Sequence, residues 1–192
     1  MQTTIKKIIK MSGTGLHSGV PSNLIISPAS AEYGIWFRRV DISDCDNLIP
    51  ARYDAVSNTQ LCTRISNSDG VEVSTIEHLM AALAGTGIHN AIIDVDGPEI
   101  PIMDGSSKIF IDEILNNGLL NQKSKVSHLI IKKTLAVGDK DRFIRYEPSQ
   151  TSSLEIDYTL EYKDQFIKKQ NFRSKDVRKN VLDIAHTRTF CH

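Results

Sequence analysis

Glu77 and His78 stand side by side in the stretch VSTIEHLMAALAGTG, residues 73–87. Two chemistries are open to the pair. In the first, STIE fits the capping pattern S-x-x-E. Ser74 then accepts from the amide of Glu77, and Glu77 reaches back to the amide of Ser74. His78 is then a solvated or hydrogen-bonded side chain off the core stripe. In the second, His78 offers a ring nitrogen to a metal at an electropositive helix N-terminus, where added positive charge is disfavoured. Glu77, one residue earlier, takes the proton of an attacking water. A single histidine is not a metal site, because catalytic zinc takes three protein ligands and a water. Spacing alone does not separate the two readings.

The element that must present this pair is a helix over 74–85. Ile76, Leu79, Met80 and Leu83 recur at i, i+3, i+4 and i+7 and form its core stripe, with Glu77 and His78 beside it. Strands are predicted at IKKIIKMSG (5–13), SNLIISPAS (22–30) and YGIWFRRV (33–40), which are apolar and β-branched. DAVSNTQLCT (54–63) is polar and ambiguous. HNAIIDVDGPEIPIMDG (89–105) reads as a strand that turns at Gly97 and Pro98. SSKIFIDEILN (106–116) has helical spacing, with Gly118 as its stop. NNGLLNQKSKVS (116–127) reads as a polar linker and a domain boundary.

Beyond that linker the pattern restarts. A lysine-containing apolar strand leads to a strand ending near a proline, Pro28 in one copy and Pro148 in the other. Polar or small residues and an alternating strand follow. This suggests a duplicated unit, with domains at 1–122 and 126–192 and a helical stretch over 174–190 in the second.

Other chemistry-bearing groups have plainer readings. Gly13, Gly15 and Gly19 give G-x-G-x-x-x-G, which suits turns better than a phosphate loop. His17 within it is read as a loop residue, with substrate contact as the alternative. Asp94, Asp96, Glu99 and Asp104 form a carboxylate group whose default is a solvated strand face, with a calcium or magnesium site as the alternative. Asp104 is placed to cap the following helix or its turn. His186, Cys191 and His192 are read as terminal residues rather than a zinc set. Cys62 is read as a small apolar residue.

The chain has 192 residues, 40% hydrophobic and 24% charged, which fits a globular protein of one medium or two small domains. Lys plus Arg is 23 and Asp plus Glu is 23, so no basic excess points to nucleic acid. Cys45, Cys62 and Cys191 are odd in number and widely spaced, which suggests a reducing compartment. No apolar run has the length of a transmembrane helix. The expected location is the cytoplasm, with any membrane association peripheral.

The wording of STIEHLMAALAGTGIHNAIIDVDGPEIPIMDGSS (74–107) resembles the central signature of the UDP-3-O-acyl-N-acetylglucosamine deacetylases, zinc amidases of lipid A synthesis. GTGLHSG (13–19), NTQLCT (58–63) and HTRTF (186–190) are similar to the same family, so the resemblance runs from Ile5 to Phe190. It implies an α+β fold of two similar domains, each a sheet with paired helices, the helices packed between the sheets. The second domain is expected to be incomplete in this chain. The resemblance makes His78 a zinc ligand and Glu77 the base. Thr189 becomes the oxyanion holder, while Leu61, Cys62 and Phe190 line the substrate site. The implied substrate is an acylated UDP-sugar whose 2-acetamido group is hydrolysed, releasing acetate. The family's other two zinc ligands, a histidine and an aspartate in an H-K-x-x-D helix, are expected beyond His192. The chain alone is therefore expected to be inactive, either a shortened enzyme or a remnant that binds nucleotide-sugar or acyl groups without chemistry.

Overall fold

The computed structural model describes residues 1–151 and 153–188. They divide into two compact units: residues 1–125 together with 181–188, and residues 126–180.

The first unit opens with β1 (Thr3–Ile5), β2 (Ile9–Thr14), β3 (Pro21–Pro28), β4 (Ile35–Arg39) and β5 (Leu48–Pro50). It continues with β6 (Val56–Asn58), β7 (Arg64–Ser66), β8 (Glu72–Val73), α1 (Glu77–Thr86), β9 (Ala91–Val95), α2 (Lys108–Asn117) and β10 (Leu119–Asn121). Five strands form one sheet in the order β2-β3-β9-β4-β5, antiparallel except where β9 runs parallel to β4. A smaller sheet has the order β6-β7-β8.

Period-2 alternation places Leu24 and Ile26 of β3, Phe37 of β4 and Ala91, Ile93 and Val95 of β9 in the core, each fully buried. They join Leu79, Ala82 and Leu83 of α1 and Phe110, Ile111 and Ile114 of α2 in one apolar cluster. The predicted stripe of α1 is observed: Ile76, Leu79 and Leu83 are buried, and Met80 packs against the cluster. α1 ends at Gly87, whose φ of 78° lets its amide bond the carbonyls of Leu83 and Ala84.

Two expectations change. IKKIIKMSG is not one strand. It breaks at Lys6 and Lys7, so that β1 and β2 join different sheets. The expected linker is only partly one. Leu119–Asn121 pair antiparallel with Thr3–Ile5, which ties the start of the chain to the end of α2. Unsatisfied strand groups at both positions gain partners by this pairing, and that outweighs the polar character of the segment.

The second unit holds two hairpins. β11 (Leu135–Gly138) pairs with β12 (Phe143–Tyr146), and β13 (Ile156–Glu161) pairs with β14 (Lys169–Ser174). Every residue of β11 and β12 is exposed, Val137, Phe143 and Ile144 among them. The expected helical stretch shortens to α3 (Val181–Ile184), which belongs to the first unit. The whole is α+β.

Candidate functional site

Glu77 and His78 occupy the first turn of α1, both half-buried. The capping box does not form. No side chain caps this helix, and the residue before it is Ile76 in helical conformation. Ser74 is engaged elsewhere. Its amide and its hydroxyl both donate to the carbonyl of Pro98, at 2.9 and 3.1 Å, as part of a parallel bridge to Glu99. The strand pairing of Ser74 with 98–100 claims the groups that a cap would use.

Freed from capping, the carboxylate of Glu77 turns to the loop after β6. Its Oε2 accepts from the amide of Thr63 at 3.0 Å, and the carbonyl of Thr63 accepts from the amide of Ile76 at 3.5 Å. Thr63 follows Leu61 and Cys62 directly, so the end of this segment is tied to the start of α1. Leu61 is 78% exposed with φ of 62°, and Cys62 is a half-buried free thiol. An exposed leucine held in left-handed backbone is the kind of strain that folds keep at binding surfaces.

The backbone reaches α1 through a second strained residue. Thr75 has φ of 58° and is buried. Its hydroxyl donates to Glu99 Oε1 at 2.7 Å. Glu99 also accepts from the amides of His17, at 3.0 Å to Oε1, and Ser18, at 2.8 Å to Oε2. Burial would raise the pKa of this carboxyl. The two amides and the Thr75 hydroxyl more than reverse that and hold it below the ordinary glutamate value. Gly15 completes the arrangement, since a Cβ there would overlap Ser18 Oγ and Glu99 Oε2.

The remaining carboxylates do not converge. Asp94 forms a two-pronged pair with Arg38 at 2.7 and 2.8 Å. Asp96 accepts from the amide and side chain of Asn23. Asp104 caps its own turn by accepting from the amide and hydroxyl of Ser106, and it pairs with Arg188 at 3.0 Å. Each carboxylate has its own donors, which overturns the calcium or magnesium alternative. Gly19, with φ of 65°, turns the glycine-rich segment back on itself, and its amide donates to Gly15 at 3.1 Å.

Thr189 and Phe190, expected as oxyanion holder and substrate contact, lie outside the described residues, as do Cys191 and His192. The segment leading to them is anchored. Arg188 Nε donates to the carbonyl of Asp104 at 2.7 Å. Val181 packs on Gly85 of α1 so closely that a Cβ there would lie 2.6 Å from it. Ala185 is 1% exposed.

Among the described residues no group of three or more His, Cys, Asp or Glu side chains is placed to hold a metal ion. Catalytic zinc takes three protein ligands. The described residues therefore do not fit a complete zinc site, and His78 is a single candidate donor.

A profile of the UDP-3-O-acyl N-acetylglycosamine deacetylase family, LpxC, matches residues 2–192. The chain belongs to this family. It is 40% identical over 192 residues to the UDP-3-O-acyl-N-acetylglucosamine deacetylase of Shewanella violacea, covering 98% of this chain and 62% of that protein. It is 41% identical over 184 residues to the deacetylase of the same name from Pasteurella multocida, covering 96% of this chain and 57% of that protein. With that of Actinobacillus pleuropneumoniae it shares 38% over 192 residues, again 98% of this chain and 62% of the relative. The chain thus spans about three fifths of the length of these deacetylases.

Sequence reasoning named Glu77, His78, Leu61 and Cys62, and the fold bonds Thr63, which follows Leu61 and Cys62 in the chain, to the start of α1. It missed the part played by Glu99 and Thr75. A signal for Glu99 exists in hindsight: it is a lone charge in the apolar run PEIPIM, where a carboxylate must be buried and needs donors.

Proposed function

We propose that the chain carries the Glu77–His78 portion of an amide-hydrolysing site for UDP-3-O-acyl-N-acetylglucosamine, an acylated UDP-sugar, in lipid A biosynthesis. The observation that supports this best is the Glu77 carboxylate, held at 3.0 Å by the amide of Thr63 and adjacent in sequence to His78. A carboxylate fixed in this way is suited to take the proton of a water attacking the 2-acetamido carbonyl. Acetate leaves and the amine remains. Leu61, Cys62 and Phe190 are assigned to the substrate side and Thr189 to the oxyanion.

Zinc as cofactor rests on family membership. His78 is assigned as one ligand, and the remaining ligands are expected outside the described residues. One imidazole does not hold zinc in catalytic geometry, so turnover needs ligands beyond the described residues. The exposed Leu61 suits a second reading, a module that binds the nucleotide-sugar or its acyl chain without hydrolysing it. Residues 1–122 and 126–192 are assigned to two related domains. The antiparallel hairpins β2–β3 and β11–β12 support the kinship. The reaction is assigned to the cytoplasm, with membrane contact peripheral. Among the described residues no helix is long and apolar enough to cross a membrane.

The test is a chimaera in which this chain replaces the matching region of the Shewanella violacea deacetylase. Acetate release that is lost in both Glu77→Gln and His78→Ala supports the catalytic reading. A folded, zinc-loaded chimaera that releases no acetate overturns it, and substrate binding to the isolated chain then supports the binding reading.

A further inference from the structure

Glu99 is 1% exposed, yet it carries a carboxylate, and the groups donating to it are neutral. Those donors come from two places far apart in the chain. His17 and Ser18 lie in the Gly15–Gly19 turn, and Thr75 lies just ahead of α1. Thr75 is β-branched, and its left-handed φ of 58° is a conformation such residues avoid. Ser74 is fixed to 98–100, with its amide on the Pro98 carbonyl at 2.9 Å and its carbonyl receiving the Ile100 amide at 3.1 Å. Between that fixed strand and the helix, Thr75 is where the chain changes direction. α1 starts two residues on, so the conformation of Thr75 sets where Glu77 and His78 point.

We propose that Glu99 is a positioning residue. Its buried carboxylate locks Thr75 in the left-handed conformation that aims Glu77 and His78, and it couples their placement to the Gly15–Gly19 turn. The functional value of this lock rests on the Glu77–His78 reading above. The lock itself does not.

The test is NMR of the 192-residue chain with labelled histidine, together with amide exchange. Glu99→Gln puts an amide where donors converge. It is expected to shift the His78 imidazole signal and to speed exchange of the His17 and Ser18 amides roughly tenfold or more. Thr75→Val keeps the shape and removes the hydroxyl. It is expected to move the His78 signal and leave the His17 and Ser18 amides protected, and it carries the test if Glu99→Gln does not fold. Glycine adopts a positive φ freely. Thr75→Gly in the Glu99→Gln background should therefore return the His78 signal to its original position while the two amides stay fast. A general loss of packing would show no such selective rescue. A folded Glu99→Gln or Thr75→Val with the His78 signal unmoved, or a failed glycine rescue, overturns the proposal. None of these readouts needs turnover. An inactive chimaera with the expected NMR pattern would sink the deacetylase reading alone.

Discussion

The carboxylate of Glu77 is fastened to the backbone amide of Thr63, 14 residues earlier, at 3.0 Å. A main-chain donor holds it, so the contact survives any side-chain change at position 63 other than proline. Glutamine at 77 retains a carbonyl oxygen for the same amide. Glu77→Gln should therefore leave stability within about 1 kcal/mol. In the chimaera it should lower acetate release by roughly 10²–10⁴-fold, the range lost with a general base. Urea unfolding and an acetate assay check the two halves separately.

His78 and Leu79 are chain neighbours with opposite tasks. Leu79 is fully buried in the core cluster, and Leu79→Ala should cost about 2–5 kcal/mol. His78 is half-buried and off the stripe, so His78→Ala should change stability by less than about 1 kcal/mol. Denaturant midpoints of the two variants measure this. A large loss in His78→Ala would make it a structural residue.

Acid should weaken the fold partly through Glu99. Its folded pKa lies below the ordinary glutamate value, so its ionised form is favoured by folding. That contribution is fully present above the ordinary value. It declines as pH falls below it and is gone once pH passes the lowered folded pKa. Melting temperature against pH should fall more steeply for the native chain than for Glu99→Gln, and the two curves should converge in acid. Near neutrality the variant should be less stable by at least about 1–3 kcal/mol, the cost of unsatisfied buried groups.

Gly15 and Gly70 separate two reasons for glycine. At Gly15 an added Cβ would overlap Ser18 Oγ and lie 2.9 Å from Glu99 Cδ. Gly15→Ala should therefore cost about 1–3 kcal/mol by overpacking and disturb the Glu99 contacts. At Gly70 nothing lies within 4 Å, but φ is 78°. Gly70→Ala should cost about 1–2 kcal/mol from backbone conformation alone and leave Glu99 untouched. Unfolding midpoints together with the exchange rate of the Ser18 amide distinguish them.

Arg188 holds the end of the described chain to Asp104 through a pair that is 63% exposed on the arginine side. Such a pair contributes little to global stability, so Arg188→Ala should cost less than about 1 kcal/mol. Locally it should matter more. The Ala185 and Thr187 amides, which bond Val181 and Ile184 at 2.9 and 3.0 Å, should exchange faster, while the Leu83 region stays protected.

The sequence by itself determined the α+β class, the apolar stripe of α1, the strands at 22–30 and 33–40, and the family, whose wording surrounds Glu77 and His78. Those features are written in local periodicity and contiguous motifs, which neighbours along the chain suffice to specify. It left the Ser74 cap open and took the paired strand at 119–121 for linker, because local pattern is blind to a strand that competes for the same groups. Tertiary structure decided the pairing of β1 with β10, the turning of Glu77 to Thr63, and the meeting of His17, Ser18 and Thr75 on Glu99. Thr75 shows the physical reason most clearly. A β-branched residue avoids left-handed backbone when judged alone, and it adopts that conformation here because a buried carboxylate 24 residues away needs its hydroxyl. Which donors reach a buried charge is settled only when distant segments pack together and water is excluded.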